Sequence, residues 1–436
     1  MSRPRVHIIG AGLAGLAAAV DLAPTGAHII LHEAAKAAGG RCRSYFDPRL
    51  FMEIDNGNHL MLACNAKALA YADMIGARDR LTILSDARFD FIDLASGKRS
   101  TLSPWAPPLP LWRLSREDGA GLSTFGDYAN LMKLALSQED RPLRDIMRCD
   151  GALYDGLLRP LLLAALNTDP AQASSALARG LLRETILKGA KACRPVMVRG
   201  GLSGALIDPA LRLLETQNVD ILMAHRLQAL HLTDRRVAAL QFDGEAIPLR
   251  PDDLVILATP ASIAAALAPW IETPTQFNAI LNAHFAAAAP DGLAPITAVT
   301  NATTEWLFAY PGRLSVTISA ANHLSAHDPE DLVQRIWREV SRITGSRAEL
   351  PPWRILREKR ATFAATPEQN KRRPSTCAAL ENLFLAGDWT ATGLPATIEG
   401  ALTSGFAAAR EARLFLKRQS PTPSTLRKTF AHADHG

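Results

Sequence analysis

The chain has 436 residues, 48% hydrophobic and 21% charged, which excludes disorder as its main state and leaves room for two domains. Its formal charge of +5 is spread along the sequence; the short basic clusters at 371–373, 417–418 and 427–428 read as solvated surface, with weak attraction to an anionic membrane as the functional alternative and no nucleic-acid footprint. Five scattered cysteines, odd in number and without a C-x-x-C pair, indicate neither a disulfide framework nor a metal site and fit a reducing cytoplasm.

Residues 5–41 read as a strand, a glycine-rich turn, a helix and a second strand. Val6, Ile8 and Ile9 form an apolar run that breaks at Gly10, and Gly10, Gly12 and Gly15 follow in G-x-G-x-x-G order. Gly10 permits the tight turn, Gly12 lets the backbone approach a pyrophosphate, and Gly15 lets the helix pack close to the strand. The helix N-terminus, at Leu13 and Ala14, then points its free N–H groups at the phosphates. Ile29, Ile30 and Leu31 make the next strand, and Glu33 closes it. A carboxylate there accepts hydrogen bonds from adenosine ribose hydroxyls and repels a ribose phosphate, which argues against NADP. Arg3, Arg5 and the following apolar residues are compatible with a secretory leader, but the glycine spacing and Glu33 favour the dinucleotide site.

After Gly39-Gly40-Arg41, Asp47-Pro48 is a turn. In MEIDNGNH (52–59), Asp55-Asn56-Gly57 has turn chemistry and presents Asn58 and His59 at a loop or strand edge. Residues 66–84 predict a helix with Leu69, Ala72, Met74 and Ile75 on its apolar side. The stretch SPWAPPLPLWRL (103–114) carries four prolines that forbid regular helix or central strand. It fits either a loop pinned by its tryptophans or the lip of an apolar channel that dips into a bilayer interface. Residues 126–190 read as several helices, in which LLRPLLLAALNT (157–168) is either core or the wall of a hydrocarbon pocket. A strand into a Gly-Gly turn follows at 195–203, a helix at 209–215 and a small three-stranded meander at 219–242, with Leu227 opening its second strand. Residues 254–260 form a buried strand of the kind that closes a nucleotide-binding half; the uncharged stretch 254–271 contains Pro260 and Pro269 and is not read as a membrane span.

Residues 261–375 read as a second excursion from the cofactor, with strands at 294–300 and 314–319. A helix over 328–344 is capped by Asp328 and started by Pro329. LFLA (383–386) is a short buried strand running into Gly387-Asp388-Trp389-Thr390, and GLPATIEGA (393–401) opens a helix from Thr397 to Lys417. Prolines and polar residues predict a disordered tail from 420.

Together the fingerprint, Gly39-Gly40-Arg41 and LFLAGDW…GLPATIEGA resemble the FAD-dependent superfamily of amine oxidases, carotenoid desaturases and protoporphyrinogen oxidases. The resemblance implies an α/β fold. A Rossmann-like FAD-binding domain of the amine oxidase/phytoene desaturase type, at 1–65, 195–260 and 376–418, is interleaved with a discontinuous α+β substrate domain at 66–194 and 261–375, leaving a tail at 419–436. It also implies that Arg41, after Gly40, approaches the pyrophosphate and that Asp388, after Gly387, takes the ribityl chain. The backbone of Ala396, Thr397 and Ile398 then faces the flavin N1–O2 edge, where reduced flavin carries negative charge that helix N–H groups stabilise. Gly57, Asn58 and Leu227 complete the implied cofactor set.

More narrowly, DNGNH (55–59), PLLLAALNT with Ser174-Ser175-Ala176, GGLS (200–203) and GLPATIEGA resemble the hydroxysqualene dehydroxylases, squalene-associated desaturase-like flavoproteins of hopanoid pathways, over residues 5–415. That resemblance implies a reductive reaction: hydride from N5 of reduced FAD replaces the hydroxyl of hydroxysqualene, giving squalene and water in a dry apolar tunnel. His59 is the candidate acid because imidazole titrates near neutrality, although it can equally serve only to hold its loop. Asn58 is a candidate to hydrogen-bond the hydroxyl or the flavin. The implied partners are a long apolar isoprenoid, an unidentified reductant and a membrane surface, from a cytoplasmic location or the inner face of the cytoplasmic membrane. Three rivals stay open: an oxidative desaturase on the same fold, an amine oxidase (which would carry an aromatic residue where Ala396 stands) and a non-catalytic prenyl-lipid carrier.

Overall fold

The structure, a computed structural model, describes residues 3–104, 112–116, 125–151, 153–377 and 380–419. Five parallel strands carry the glycine fingerprint. Arg5–Ile9 lies at their centre between His28–His32 and Leu254–Leu257, with Asp220–Leu222 and Leu383–Leu385 at the edges. Every residue of Leu254–Leu257 and Leu383–Leu385 is buried, as strands covered on both faces require. Asp253, fully buried, receives hydrogen bonds from the Arg5 backbone N–H at 2.8 Å and side-chain Nε at 2.9 Å, which ties the first strand to the fourth segment of the sheet. The helices Leu13–Leu22 and Ile398–Gln419 pack against each other beside this sheet. A β-carbon at Gly405 would stand 2.3 Å from the Ala14 carbonyl oxygen, so only glycine permits that approach.

A second sheet has eight strands in the order Trp353–Phe363, Phe277–Phe285, Arg313–Ile318, Trp306–Tyr310, Ile296–Thr300, Phe89–Asp93, Arg99–Pro104 and Trp112–Arg116. Strand alternation splits its side chains between two cores. Leu307, Val316 and Phe285 pack on the helix Pro329–Thr344, whereas Trp306 and Phe308 face the opposite side with Leu158 and Leu162. The Pro329–Thr344 helix starts as its sequence predicts: the Asp328 carboxylate accepts from the N–H groups of Glu330 at 2.8 Å and Asp331 at 3.2 Å.

Three readings change. The helix expected over 66–84 is Ala66–Met74; Gly76 takes φ +68°, and Leu81–Ile83 is a strand pairing with Pro195–Val198. Pairing of Leu81 with Val198 and burial of Leu81 in the core outweigh the local helical pattern. The meander expected over 219–242 loses its first strand, because Asp220–Leu222 joins the parallel sheet beside His28–His32; Ala229–Thr233 pairs with Arg236–Gln241, and Arg236–Gln241 with Ala246–Pro248 instead. The helix Asp208–Thr216 before it makes the crossover that parallel pairing needs. The proline-rich stretch 103–114 is strand at both ends: Pro104 pairs with Trp112 in a hairpin on the sheet edge, where a missing N–H is tolerated. Residues 105–111, with the remaining three prolines, and the expected tail from 420 lie outside the described residues.

His7 and His32 face each other on neighbouring strands of the parallel sheet, with Nδ1 and Nε2 3.0 Å apart, and His32 continues to His225 at 2.8 Å. Both sheet histidines are fully buried. Burial, aided by Arg5, pushes His7 down to about 4, and burial with the two neighbouring imidazoles pushes His32 down to about 3. Each therefore stays neutral in the fold where the unfolded chain is protonated, so its contribution is complete above about pH 6.5 and is lost as pH falls towards 4. Urea titrations from pH 7 to 4.5 are expected to show stability level down to about pH 6.5 and then falling by up to about 1.4 kcal/mol per pH unit for each histidine. His32→Gln will flatten the slope; an unchanged slope would refute the assignment.

Candidate active site

A cavity of about 730 Å³ opens at the C-terminal ends of the parallel strands and extends to the eight-stranded sheet. Gly10 turns the chain there with φ +110°, and a β-carbon on it would stand 2.6 Å from the Ala258 carbonyl oxygen. Gly12, Leu13 and Ala14 line the cavity with Gly10. A β-carbon on Gly12 would meet no protein atom within 4 Å, so the rest of the chain gives no steric reason for glycine there. The Leu13–Leu22 helix has no side-chain cap, which leaves its first N–H groups available to a ligand. Gly15, expected in the cofactor set, does not line the cavity: its absent β-carbon would fall 1.9 Å from the Gly10 carbonyl oxygen, so its role is helix–strand packing.

Glu33 reaches the same end. Its two carboxylate oxygens accept from the backbone N–H groups of Ala11 and Ala35, each at 2.8 Å, and retain lone pairs for further donors. His225 donates its backbone N–H to the Glu33 carbonyl, which brings Leu227 to the cavity wall. Gly40 and Arg41 meet Gly387 and Asp388 beyond this point. Arg41 Nη2 lies 2.8 Å from Asp388 Oδ1, and its Nη1 donates to the Ala361 carbonyl. The Gly387–Thr390 turn is held from behind. The Trp389 indole donates to Thr259 O at 2.8 Å, Ser404 Oγ accepts the Gly387 N–H at 3.0 Å, and the Arg373 guanidinium reaches the carbonyls of Asp388 and Thr390. Burial lowers Arg373 to about 10, yet leaves it charged at neutral pH.

The helix expected from Thr397 begins at Ile398, because the Thr397 hydroxyl accepts the Gly400 N–H at 3.1 Å as a cap. Ala396, Thr397 and Ile398 line the cavity. Glu399 also caps the Ala66–Met74 helix, accepting from Lys67 and Ala68 N–H at 2.9 and 3.0 Å, and burial raises its pKa.

Asp55 holds the segment that carries Gly57, Asn58 and His59. It accepts from Ser44 Oγ at 2.7 Å and from the Leu202 N–H at 2.8 Å, so the DNGNH and GGLS stretches form one hydrogen-bonded unit. Gly57, Asn58 and His59 all line the cavity. Burial lowers the pKa of His59, Asp55 opposes that shift and Arg41 adds to it. Asn58 Nδ2 donates to Thr317 Oγ1 at 3.0 Å, while its Oδ1 is enclosed without a partner. Leu158, Leu161 and Leu162 of the 157–168 stretch form an apolar wall of the cavity, and Leu157 and Leu166 pack into the core, so the stretch divides between core and cavity wall. Asn282, Thr317, Glu358 and Arg360 line the cavity without having been anticipated. The available signal was Asn282, which with His284 interrupts the apolar AILNAHF run; nothing local marks Thr317 or the strand 353–363.

The model of the flavin containing amine oxidoreductase family matches residues 13–413. A hydroxysqualene dehydroxylase from Rhodopseudomonas palustris is 49% identical over 405 residues, covering 93% of this chain and 97% of the relative. One from Sinorhizobium fredii is 46% identical, with the same two coverages. The chain belongs to the flavin-containing amine oxidoreductase family, among the hydroxysqualene dehydroxylases. The fold is shared more widely: cyclohexylamine oxidase from Brevibacterium oxydans matches with a TM-score of 0.70 at 16% identity, over 96% of this chain and 100% of that one.

Members of this flavin-dependent family use FAD, and the cavity fits it. The open space at Gly12, the uncapped helix start and the Glu33 carboxylate suit an adenosine diphosphate, and Ala396–Ile398 offer a second helix start for the flavin ring. Glu33→Ala is expected to lower the FAD retained through purification, read as the ratio of flavin to protein absorbance. Full flavin occupancy in that variant would remove Glu33 from the ribose site.

Proposed function

We infer that the chain catalyses FAD-dependent reductive dehydroxylation of hydroxysqualene to squalene. The observation that carries this reading is 43–49% identity to three hydroxysqualene dehydroxylases across at least 92% of the chain. The apolar wall of the cavity supports it. Bound and reduced, FAD supplies the hydride that replaces the hydroxyl.

The rest falls to the chain. With FAD bound, the backbone of 10–14 with Gly40 and Arg41 would hold the pyrophosphate, Glu33 and Leu227 the adenosine, and Asp388 after Gly387 the ribityl chain. The backbone of Ala396–Ile398, with Gly57 and Asn58, would hold the flavin. The cofactor half is 1–65, 195–260 and 376–418, and the substrate half is 66–194 and 261–375. Leu158, Leu161 and Leu162 exclude water from a cation-like reacting carbon. His59 is the candidate to pass a proton to the departing hydroxyl; burial disfavours its charged form, so a proton taken up by its imidazole is given up readily.

Anaerobic incubation of hydroxysqualene with the holoprotein and a flavin reductant is expected to give squalene, identified by mass spectrometry. Dehydrogenation of phytoene or another polyene without squalene formation would establish the oxidative desaturase reading instead. His59→Ala is expected to lower kcat by roughly 10²-fold; unchanged turnover would leave His59 only its place in the loop.

The same reading extends to a membrane surface. Phe46 and Phe51 are 56% and 84% exposed and pack edge to face, with ring centroids 5.4 Å apart, on the hairpin of Ser44–Asp47 and Met52–Asp55. Exposed Arg43 and Arg49 flank them in sequence, a mixture suited to an anionic lipid interface. The chain is expected to float with vesicles containing anionic phospholipid. Phe46→Ser with Phe51→Ser will weaken binding about tenfold or more, and equal flotation of both proteins would remove the hairpin from the contact.

A further inference from the structure

We propose that Asn282 is the group that receives the substrate hydroxyl, its amide N–H donating to that oxygen; the proposal rests on the dehydroxylase reading. Asn282 lies on Phe277–Phe285, is 1% exposed and lines the cavity near Ile280, Trp306 and Phe308. Its Oδ1 accepts from Thr317 Oγ1 at 2.8 Å and lies 3.4 Å from the Asn58 backbone N–H. Thr317 Oγ1 in turn accepts from Asn58 Nδ2 at 3.0 Å. With donors converging on the carbonyl end, inverting the amide would break those contacts, so its NH₂ end is fixed in direction. Among the described residues the hydrogen bonds of the Asn282 side chain all fall on its Oδ1, and its Nδ2 donates none. Gly57 keeps that atom clear, since a β-carbon at 57 would stand 3.3 Å from it.

The Asn282 amide N–H is open to the cavity, and a ligand oxygen seated there gives it an acceptor in place of water. Squalene has no oxygen and hydroxysqualene has one, so a single oriented donor is enough to distinguish them. In the reaction a C–O bond breaks and a C–H bond forms. The reduced cofactor supplies the hydride, and the oxygen leaves as water after gaining one proton. A neutral amide keeps its own proton, so Asn282 binds and orients the hydroxyl while the proton comes from another group. The product leaves the donor unpaired, which favours release.

The test uses oxidised holoprotein, so no turnover occurs, and compares binding of hydroxysqualene and squalene by quenching of flavin fluorescence. The parent is expected to prefer hydroxysqualene by about tenfold or more. In Asn282→Leu the preference will fall to near one while squalene affinity, FAD affinity and the visible flavin spectrum are retained. Thr317→Val, nearly isosteric, will weaken the preference by freeing the amide, and it keeps the test open if Asn282→Leu does not fold. Retained preference in the folded variants overturns the proposal. So does a shifted flavin spectrum or lost FAD with the preference intact, which would assign the donor to the cofactor. A parent that dehydroxylates without any preference sinks this subsite and leaves the function standing. A parent that prefers the hydroxylated lipid, loses that preference in the variants and yet forms no squalene supports the subsite and sinks the dehydroxylase reading.

Discussion

One guanidinium joins three distant parts of this chain. Arg41 follows the second glycine pair, 347 positions before Asp388, and bridges that carboxylate and the Ala361 carbonyl on the strand Trp353–Phe363. The Gly39-Gly40-Arg41 segment, the GDW turn and the eight-stranded sheet therefore meet at one side chain. Arginine suits this post because its planar fork presents several donors at fixed angles. A cavity built from both ends of a chain needs such a clamp, since chain connectivity alone does not bring residues 41, 361 and 388 together.

The glycine motifs divide into two kinds around that clamp. Gly10, Gly15 and Gly405 are required by protein atoms: a β-carbon at any of them would strike backbone at 2.6 Å or less. Gly12 is different, because its missing β-carbon leaves space that no protein atom claims. Close packing explains the first group and a ligand explains the second. Asp55 and Glu399 follow a related economy. Each closes hydrogen bonds between segments far apart in sequence while its neighbours line the cavity.

The cofactor end was largely legible in the sequence because its signals are local. G-x-G-x-x-G dictates backbone conformation within six residues, and Glu33 follows at the length of one helix and one strand. Asp328 capping its own helix is equally local. The failures share a cause. Residues 81–83 carry a helical pattern yet pair with 195–198, and residues 220–222 look like a meander yet join a parallel sheet. In both, the deciding partner lies far away in sequence. The apolar run 157–168 could be recognised as buried, but which leucines face core and which face the cavity depends on helices packed around it.

By itself the sequence determined the cofactor class, the α/β architecture and the family, because those rest on short motifs whose spacing is set by backbone geometry and on identity along nearly the whole chain. Only the tertiary structure decided that Arg41 and Asp388 pair, and that Asn282, Thr317 and Asn58 form one polar cluster on an apolar wall. Such a cluster joins residues 58, 282 and 317 mainly through side chains, and side-chain hydrogen bonds between distant segments leave no periodic trace in a linear sequence.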